Sequence, residues 1–191
     1  EPTPITNLLD RYLVAAEVAH IQPLIVINKI DLMQDCDATA KFLRAVKNLY
    51  EVIGYDVVET SIKESGGLHD LSGHLINKSS VFIGQSGVGK SSLVQALLPN
   101  ESIKVGHLHK QTRLGRHTTS TARLYSYEKG GSIIDSPGIR DFGFENISRA
   151  DVEYGFIDIR QYTDSCRFRD CRHQNEPGCA VLDAVQKGKL S

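Results

Sequence analysis

Two short stretches of this sequence carry residue types and spacings suited to nucleotide chemistry, and a third is suited to metal binding. The first has the pattern G-x-x-x-x-G-K-S and comprises Gly84, Gln85, Ser86, Gly87, Val88, Gly89, Lys90, Ser91 and Ser92. Glycines at these positions let successive backbone N–H groups turn towards phosphate oxygens. Lys90 is predicted to reach the β- and γ-phosphates as a catalytic residue, and the Ser91 hydroxyl is predicted to bind Mg²⁺.

The residues on either side of this phosphate loop fit the structure that the motif requires. Residues 81–83 are an apolar run typical of a buried strand, and residues 93–98 continue in a helical pattern. The order is therefore strand, loop, helix, which aims the positive end of a helix dipole at the same phosphates. This context favours a nucleotide site over an incidental glycine-rich turn.

A second motif follows the apolar strand pattern at residues 24–27 and comprises Asn28, Lys29, Ile30 and Asp31. It resembles the guanine-specificity motif Asn-Lys-x-Asp of GTPases of the translation-factor class. An aspartate carboxylate can accept two hydrogen bonds from the N1–H and N2 groups of guanine, and adenine offers no such pair. The resemblance implies that Asn28 holds the loop and the base and that the Lys29 stem covers the purine. The alternative is an ordinary strand-to-helix turn.

A further contact with the base is expected after the strand pattern at residues 57–61. Ser61 and Ile62, followed by Lys63, stand where these GTPases have a Ser-Ala-Lys motif whose backbone contacts guanine. The sequence departs from that motif at Ile62. Ser61 and Ile62 are therefore included among the expected nucleotide-binding residues.

Residues 99–120 form a long, basic stretch with little hydrophobic periodicity. In the GTPases this is the place of the first switch, a loop that responds to the γ-phosphate. The resemblance implies that His117, Thr118 and Thr119 belong to the catalytic machinery and that Thr119 binds Mg²⁺. The alternative is a basic surface loop, because charged runs are usually solvated.

A D-x-x-G pattern, formed by Asp135 and Gly138, resembles the second switch of GTPases. The resemblance implies that Asp135 holds the Mg²⁺ shell through water and that the Gly138 N–H senses the γ-phosphate. The next residue is Ile139, where Ras-like proteins have a water-orienting Gln. Because an aliphatic side chain cannot orient water, our hypothesis is that His117 orients the attacking water instead.

These elements occur in a rotated order, with the base motif first and the switches last. The order predicts an α/β protein, a circularly permuted Ras-like P-loop GTPase sheet. Strand patterns lie near residues 24–27, 57–61, 80–84, 121–127 and 132–135. Helical patterns cover residues 5–20, with Thr6 as N-cap, and residues 37–53.

A Ras-like sheet has six strands, and one of them has no counterpart in this sequence. We therefore expect a gap in the sheet between the strands near 80–84 and 24–27. In the usual order the absent strand lies between the second switch and the base motif, so here it should lie upstream of Glu1, and we expect that upstream residues have been lost.

Three cysteines and one histidine lie close together in the sequence, at Cys166, Cys171, His173 and Cys179. Three thiolates and an imidazole complete a tetrahedral ligand set without an open position, which is typical of structural zinc. Three cysteines cannot form two disulfides. We therefore expect one structural Zn²⁺ per chain.

Basic residues and one aromatic residue surround these ligands. They are Arg167, Phe168, Arg169 and Arg172. Such a surface can contact RNA phosphates and bases, and a solvated charged surface around the zinc is the alternative.

The 191 residues are enough for one ordinary domain and a small second one. We assign residues 1–145 to the GTPase domain and residues 146–191 to a mainly helical or irregular zinc-binding domain. The net charge of −1 does not by itself indicate a nucleic-acid partner. No apolar run approaches the roughly 20 residues of a membrane span. We predict a cytoplasmic monomer without a membrane partner.

Together the motifs closely resemble the family of the bacterial small ribosomal subunit biogenesis GTPase RsgA. The residues that carry this resemblance are 84–92, 115–119, 135–143 and 166–181. It implies a GTPase that binds GTP and GDP with Mg²⁺, acts late in maturation of the small ribosomal subunit, binds its rRNA and is stimulated by the ribosome. It also implies an RNA-binding OB-fold domain preceding this sequence.

Two other functions remain open at this point. One is a GTP-gated rRNA- or ribosome-binding module in which hydrolysis only resets binding. The other is a P-loop ATPase or kinase, against which Asn28 and Asp31 argue.

Overall fold

Two compact units make up the structure, a computed structural model that describes residues 5–35, 37–99, 123–135 and 147–190. The first unit contains residues 24–51 and 56–141, and the second contains residues 5–23, 52–55 and 142–191. The helices are α1 (Thr6–Val18), α2 (Asp37–Ile53), α3 (His69–Leu75), α4 (Lys90–Leu97), α5 (Arg149–Gly155), α6 (Ile157–Thr163) and α7 (Ala180–Gln186). The strands are β1 (Ile25–Asn28), β2 (Val57–Thr60), β3 (Lys78–Val81), β4 (Arg123–Ser126) and β5 (Gly131–Asp135).

The strands of the first unit form two separate sheets. β1 pairs with β2 in parallel, so that Asn28 lies opposite Thr60 at their carboxyl ends. The other sheet has the order β3-β5-β4, with β3 and β5 parallel and β4 and β5 antiparallel. No strand pairing joins β1 to β3 in the part of the chain that the structure describes. The predicted gap between the phosphate-loop strand and the first strand is therefore confirmed.

The core of the first unit forms where α3 and α4 pack on these sheets. Ile133 is fully buried because β5 is the central strand of its sheet. Leu71 of α3 and Val94 of α4 are buried against the same core. An open cleft of about 560 Å³ lies between β2, α3 and the start of β3. None of the predicted nucleotide ligands lines this cleft, so we do not assign the nucleotide to it.

The predicted element bounds differ from the structure in a few places. The first helix begins at Thr6, but Ile5 occupies the N-cap position without a side-chain hydrogen bond, so the prediction of Thr6 as N-cap was wrong. The strand expected near 80–84 is β3, which begins earlier because Lys78 pairs with Gly131. The strand expected at 57–61 ends at Thr60. Helix α2 has the predicted bounds.

The second unit is built around the packing of α1 on α5. Val14 and Leu13 of α1 are buried, and Gly155 of α5 lies against the Val14 backbone, where a Cβ atom would come within 2.7 Å of the Val14 side chain. Helix α5 starts with a capping box between Ser148 and Asp151. Helix α1 thus packs with the helices near the cysteine cluster, and our division into residues 1–145 and 146–191 stays a prediction.

Candidate nucleotide-binding site and metal centre

The phosphate loop joins β3 to α4, as its motif predicts. Gly87 and Gly89 have φ values of 85° and 99°, a conformation that residues with a Cβ atom rarely adopt. Gly89 is the N-cap of α4, so the helix begins at Lys90 and its N-terminal N–H groups face the loop. A backbone of this shape can surround phosphate oxygens.

Lys90 folds over the loop that precedes it. Its ammonium group donates hydrogen bonds to the carbonyl oxygens of Gly84 (2.5 Å) and Gln85 (2.7 Å). Ser91, the residue after Lys90, is exposed in the first turn of α4. The cation therefore lies where the motif would place negatively charged phosphates.

The base motif contacts the phosphate loop directly. The Asn28 amide donates to the Val88 carbonyl oxygen at 2.9 Å, and the Lys29 ammonium group donates to the Gly87 carbonyl oxygen at 2.9 Å. Gly89 makes this approach possible, because a Cβ atom there would lie 2.5 Å from the Asn28 amide nitrogen. The two predicted motifs thus form one site.

Asp31 is held by the segment that follows β2. The Ser61 hydroxyl donates to Asp31 Oδ1 at 2.7 Å, and the Lys63 ammonium group lies 2.9 Å from Asp31 Oδ2. These two interactions, the Ser61 hydrogen bond first, lower the pKa of Asp31. The carboxylate is therefore kept ionised, in the form that accepts hydrogen bonds from guanine.

Two residues that the sequence analysis did not assign to the site support its motifs. The buried Thr60 hydroxyl donates to Asn28 Oδ1 at 3.1 Å, and Lys63 pairs with Asp31. The sequence signal for Lys63 was its place after Ser61 and Ile62, whereas the position of Thr60 follows from the parallel pairing of β1 and β2, which places the residues that end these strands side by side. The Ile62 side chain is half exposed, and the contact with the base expected of this residue is one of its backbone.

Gly67 sets the position of the Ser61 backbone. The Ser61 N–H donates to the Gly67 carbonyl oxygen at 3.2 Å, and a Cβ atom on Gly67 would lie 2.2 Å from the Ser61 carbonyl oxygen. Only glycine fits this approach without a backbone shift. The role of Gly67 in positioning the base loop was not foreseen from the sequence.

Several predicted catalytic and nucleotide-binding residues lie outside the described residues. They are His117, Thr118, Thr119 and Gly138. Asp135 ends β5, one residue after Ile134, the register partner of Val81 in β3. The D-x-x-G motif therefore starts beside the strand that leads into the phosphate loop.

The four predicted metal ligands are brought together in the second unit. Their ligand atoms all lie within 4.8 Å of one another, in a group formed by Cys166, Cys171, His173 and Cys179. His173 Nδ1 is 3.7 Å from Cys166 Sγ and 3.4 Å from Cys179 Sγ. Cys179 is also the N-cap of α7, and its sulfur accepts a hydrogen bond from the Leu182 N–H at 3.4 Å. This group could hold a metal ion.

The environment of Cys171 fits a bound cation. The pKa of the Cys171 thiol is raised to about 11, chiefly by burial and in part by its hydrogen bonds with the Cys179 and Cys166 thiols. Crowded thiolates repel one another unless a positive charge lies between them. A divalent metal would supply that charge and would hold all four ligand atoms.

A glutamate orders the loop between two of these ligands. The Glu176 carboxylate accepts hydrogen bonds from the backbone N–H groups of Arg172 (2.8 Å), Gln174 (2.9 Å) and Asn175 (3.1 Å). These hydrogen bonds, that of Arg172 first, lower the pKa of Glu176 to about 2. The loop that presents His173 is thus held by an ionised side chain.

The basic surface predicted beside the metal ligands is accessible. Phe168 is 41% exposed, and the Arg167 guanidinium carbon lies 5.4 Å from its ring centroid.

Among the described residues, no helix has the length and apolar character needed to cross a membrane.

The fold and site define a circularly permuted GTPase, because the base motif precedes the phosphate loop in sequence while both form one site. A model of the RsgA GTPase family matches residues 1–145, and the chain belongs to this family.

Similar proteins and structures agree with this family. The chain is 51% identical over 189 residues to the small ribosomal subunit biogenesis GTPase RsgA of Pseudomonas fluorescens (strain Pf0-1), covering 99% of this chain and 54% of that protein. It is 49% identical over 190 residues to the protein of that name from Hahella chejuensis (strain KCTC 2396), covering 100% and 54%. The chain thus spans about half the length of the curated relatives it matches.

Two solved structures are also similar over the whole of this chain. The crystal structure of YloQ, described as a circularly permuted GTPase, aligns with a TM-score of 0.79 at 37% identity and is covered over 59% of its length. The crystal structure of YjeQ from Thermotoga maritima aligns with a TM-score of 0.80 at 32% identity and is covered over 62%.

Proposed function

We propose that this chain binds GTP and GDP, hydrolyses GTP, and acts in late maturation of the small ribosomal subunit, which stimulates the hydrolysis. The observation that carries the nucleotide assignment is the Asp31 carboxylate, fixed by Ser61 and Lys63 in a base motif that contacts the phosphate loop through Asn28. The names of the curated relatives support the ribosomal part of the proposal.

The proposed chemistry is positioning and charge neutralisation, with water attacking the γ-phosphate in line. The ammonium group of Lys90 exchanges the Gly84 and Gln85 carbonyl oxygens for phosphate oxygens. Ser91 and Thr119 would hold Mg²⁺, and Asp135 would hold its water shell. Mg²⁺, when bound, neutralises charge on the β- and γ-phosphate oxygens. His117 orients the water, since Ile139 cannot.

For the metal centre we propose one structural Zn²⁺ bound by Cys166, Cys171, His173 and Cys179. Four protein ligands leave no open position for a substrate, so the metal stabilises the fold and takes no part in hydrolysis. The clustered ligand atoms and the burial of Cys171 support this assignment.

The proposed partner is the small ribosomal subunit with its rRNA, contacted in part through Arg167, Phe168, Arg169 and Arg172. This partner places the protein in the cytoplasm, where we expect it to act as a monomer. The exposure of Phe168 beside a guanidinium group supports a base-stacking contact.

GTP turnover by this chain, alone and with purified small subunits, tests the proposal, with ATP as the nucleotide control. We expect slow hydrolysis alone, strong stimulation by the subunits, and little use of ATP. Lys90→Ala should abolish turnover, and the matched change of an exposed lysine, Lys41→Ala, should not affect it. Equal use of ATP would overturn the guanine assignment. Guanine nucleotide binding without stimulation would place the activating surface outside this chain.

A GTP-gated binding module is the second candidate, and Ile139 at the place of the water-orienting Gln favours it. In that case hydrolysis only resets binding. Tight GTP-dependent binding of the His117→Ala protein to small subunits, without turnover, would favour this candidate over the first.

A further inference from the structure

The two ring nitrogens of His173 face different partners. Nδ1 lies 3.4 Å from Cys179 Sγ and 3.7 Å from Cys166 Sγ, inside the ligand cluster. Nε2 lies 3.5 Å from Oε1 of Glu153. Nε2 is buried and makes no hydrogen bond among the described residues. A buried polar atom without a partner is costly, so this nitrogen requires an acceptor, and the Glu153 carboxylate is the one beside it.

The Glu153 oxygen that lies beside His173 also accepts hydrogen bonds from Arg149. Arg149, one helical turn earlier on α5, donates to Glu153 Oε1 from Nη2 at 2.9 Å and from Nε at 3.2 Å. The same Nη2 atom donates to the Cys171 carbonyl oxygen at 2.9 Å. Arg149 therefore connects the carboxylate beside His173 to the backbone of a second ligand.

The chemistry of a histidine ligand explains this arrangement. When Nδ1 gives its lone pair to a metal, the ring proton is on Nε2. A carboxylate that accepts this proton in a hydrogen bond selects the tautomer and fixes the ring plane.

We propose that Glu153 is a positioning residue of the metal centre, which orients His173 through Nε2 and is itself oriented by Arg149. This inference rests on the proposed metal site and adds a residue from α5, a helix that contributes none of the four metal ligands. It also means that α5, which follows the second switch in sequence, is linked to the metal cluster by two side chains.

The test is the Zn²⁺ affinity of the full chain, measured by competition with a chromogenic chelator. Glu153→Met removes the acceptor but keeps the length and helix propensity of the side chain. Glu153→Gln keeps a neutral acceptor. Asp183→Met is the matched control, because Asp183 forms an exposed i,i+4 pair with Lys187 in the same unit. Far-UV circular dichroism at saturating zinc shows whether each variant is folded, and the absorption of the Co²⁺-loaded chain reports the ligand geometry.

We expect Glu153→Met to weaken zinc binding by about 10- to 100-fold. Glu153→Gln should give a smaller loss, and Asp183→Met should change the affinity by less than about twofold. Co²⁺ should keep its thiolate charge-transfer bands in Glu153→Met but show shifted d–d bands.

Wild-type affinity in Glu153→Met, or an equal loss in Asp183→Met, would overturn the proposal. If Glu153→Met does not fold, equal affinities of Glu153→Gln and Asp183→Met with unshifted d–d bands would overturn it as well. A wild-type chain that binds no zinc would instead remove the metal assignment on which the proposal rests.

Discussion

The Asn28 amide donates a 2.9 Å hydrogen bond to the carbonyl oxygen of Val88, a residue 60 positions further along the chain. The same side chain accepts a hydrogen bond from the buried hydroxyl of Thr60 at 3.1 Å. Asn28 therefore joins β2, the base motif and the phosphate loop. Its loss should affect the binding of the whole nucleotide.

Asn28→Ala should weaken GDP binding by roughly 30-fold, because it removes two hydrogen bonds of about 1 kcal/mol each. Isothermal titration calorimetry of the metal-loaded chain measures this change. Asn7→Ala is the control, since Asn7 is exposed on α1 of the other unit. Unchanged GDP affinity in Asn28→Ala would show that the connection does not support the site.

Asp31→Asn should exchange guanine for xanthine as the preferred base. Its amide offers a donor where the carboxylate accepts, so it pairs with the C2 carbonyl of xanthine and repels the guanine N2 group. GTP affinity should fall by about 100-fold or more, since each hydrogen bond to a charged group contributes about 1.5–3 kcal/mol. Competition between GTP and XTP for a fluorescent GDP analogue measures the preference. Asp70→Asn, an exposed acid on α3, should leave it unchanged, and retained GTP preference in Asp31→Asn would contradict the base assignment.

Gly67→Ala should weaken guanine nucleotide binding because the added Cβ atom would lie 2.2 Å from the Ser61 carbonyl oxygen. The segment that holds Asp31 must then move. Gly73→Ala is a matched control, since nothing lies within 4 Å of a Cβ atom there and the residue is inside α3. That control should stabilise the fold by about 0.5–1 kcal/mol without affecting binding. Equal GDP affinities in the two variants would contradict the role of Gly67.

The Glu176 carboxylate should make the loop of residues 172–176 sensitive to acid. Its pKa is about 2 in the folded chain against an ordinary value of 4.5, so it contributes stability that is complete above pH 4.5 and is lost as the pH falls towards 2. Glu176→Gln should reduce stability at pH 6, and this difference from the wild type should shrink below pH 4.5. Urea unfolding of the metal-free proteins over this range measures the effect.

Amide NMR provides the control for this prediction. At neutral pH the N–H resonances of Arg172, Gln174 and Asn175 should differ between Glu176→Gln and the wild type. They should not differ between Glu51→Gln, a change at an exposed residue of α2, and the wild type. A stability difference that persists undiminished at pH 3 would show that the charge of Glu176 is not what holds the loop.

The motifs of the site could be predicted from the sequence because each is a local pattern. The phosphate loop, the base motif and the spacing of the four metal ligands place chemically suited residues within a few positions of one another. Counting strand patterns in their rotated order predicted a gap in one Ras-like sheet, and the described strands form two separate sheets. The prediction of Thr6 as N-cap failed because Ile5 holds that position.

What only the tertiary structure decided are the contacts between distant segments. The pairing of β1 with β2 brings Ser61 and Lys63 to Asp31, and the close approach at Gly67 depends on the path of a loop. The packing of α1 on α5 and the position of Glu153 beside His173 join residues that are far apart in sequence. No local periodicity encodes such contacts, because they depend on which buried surfaces meet when the chain folds.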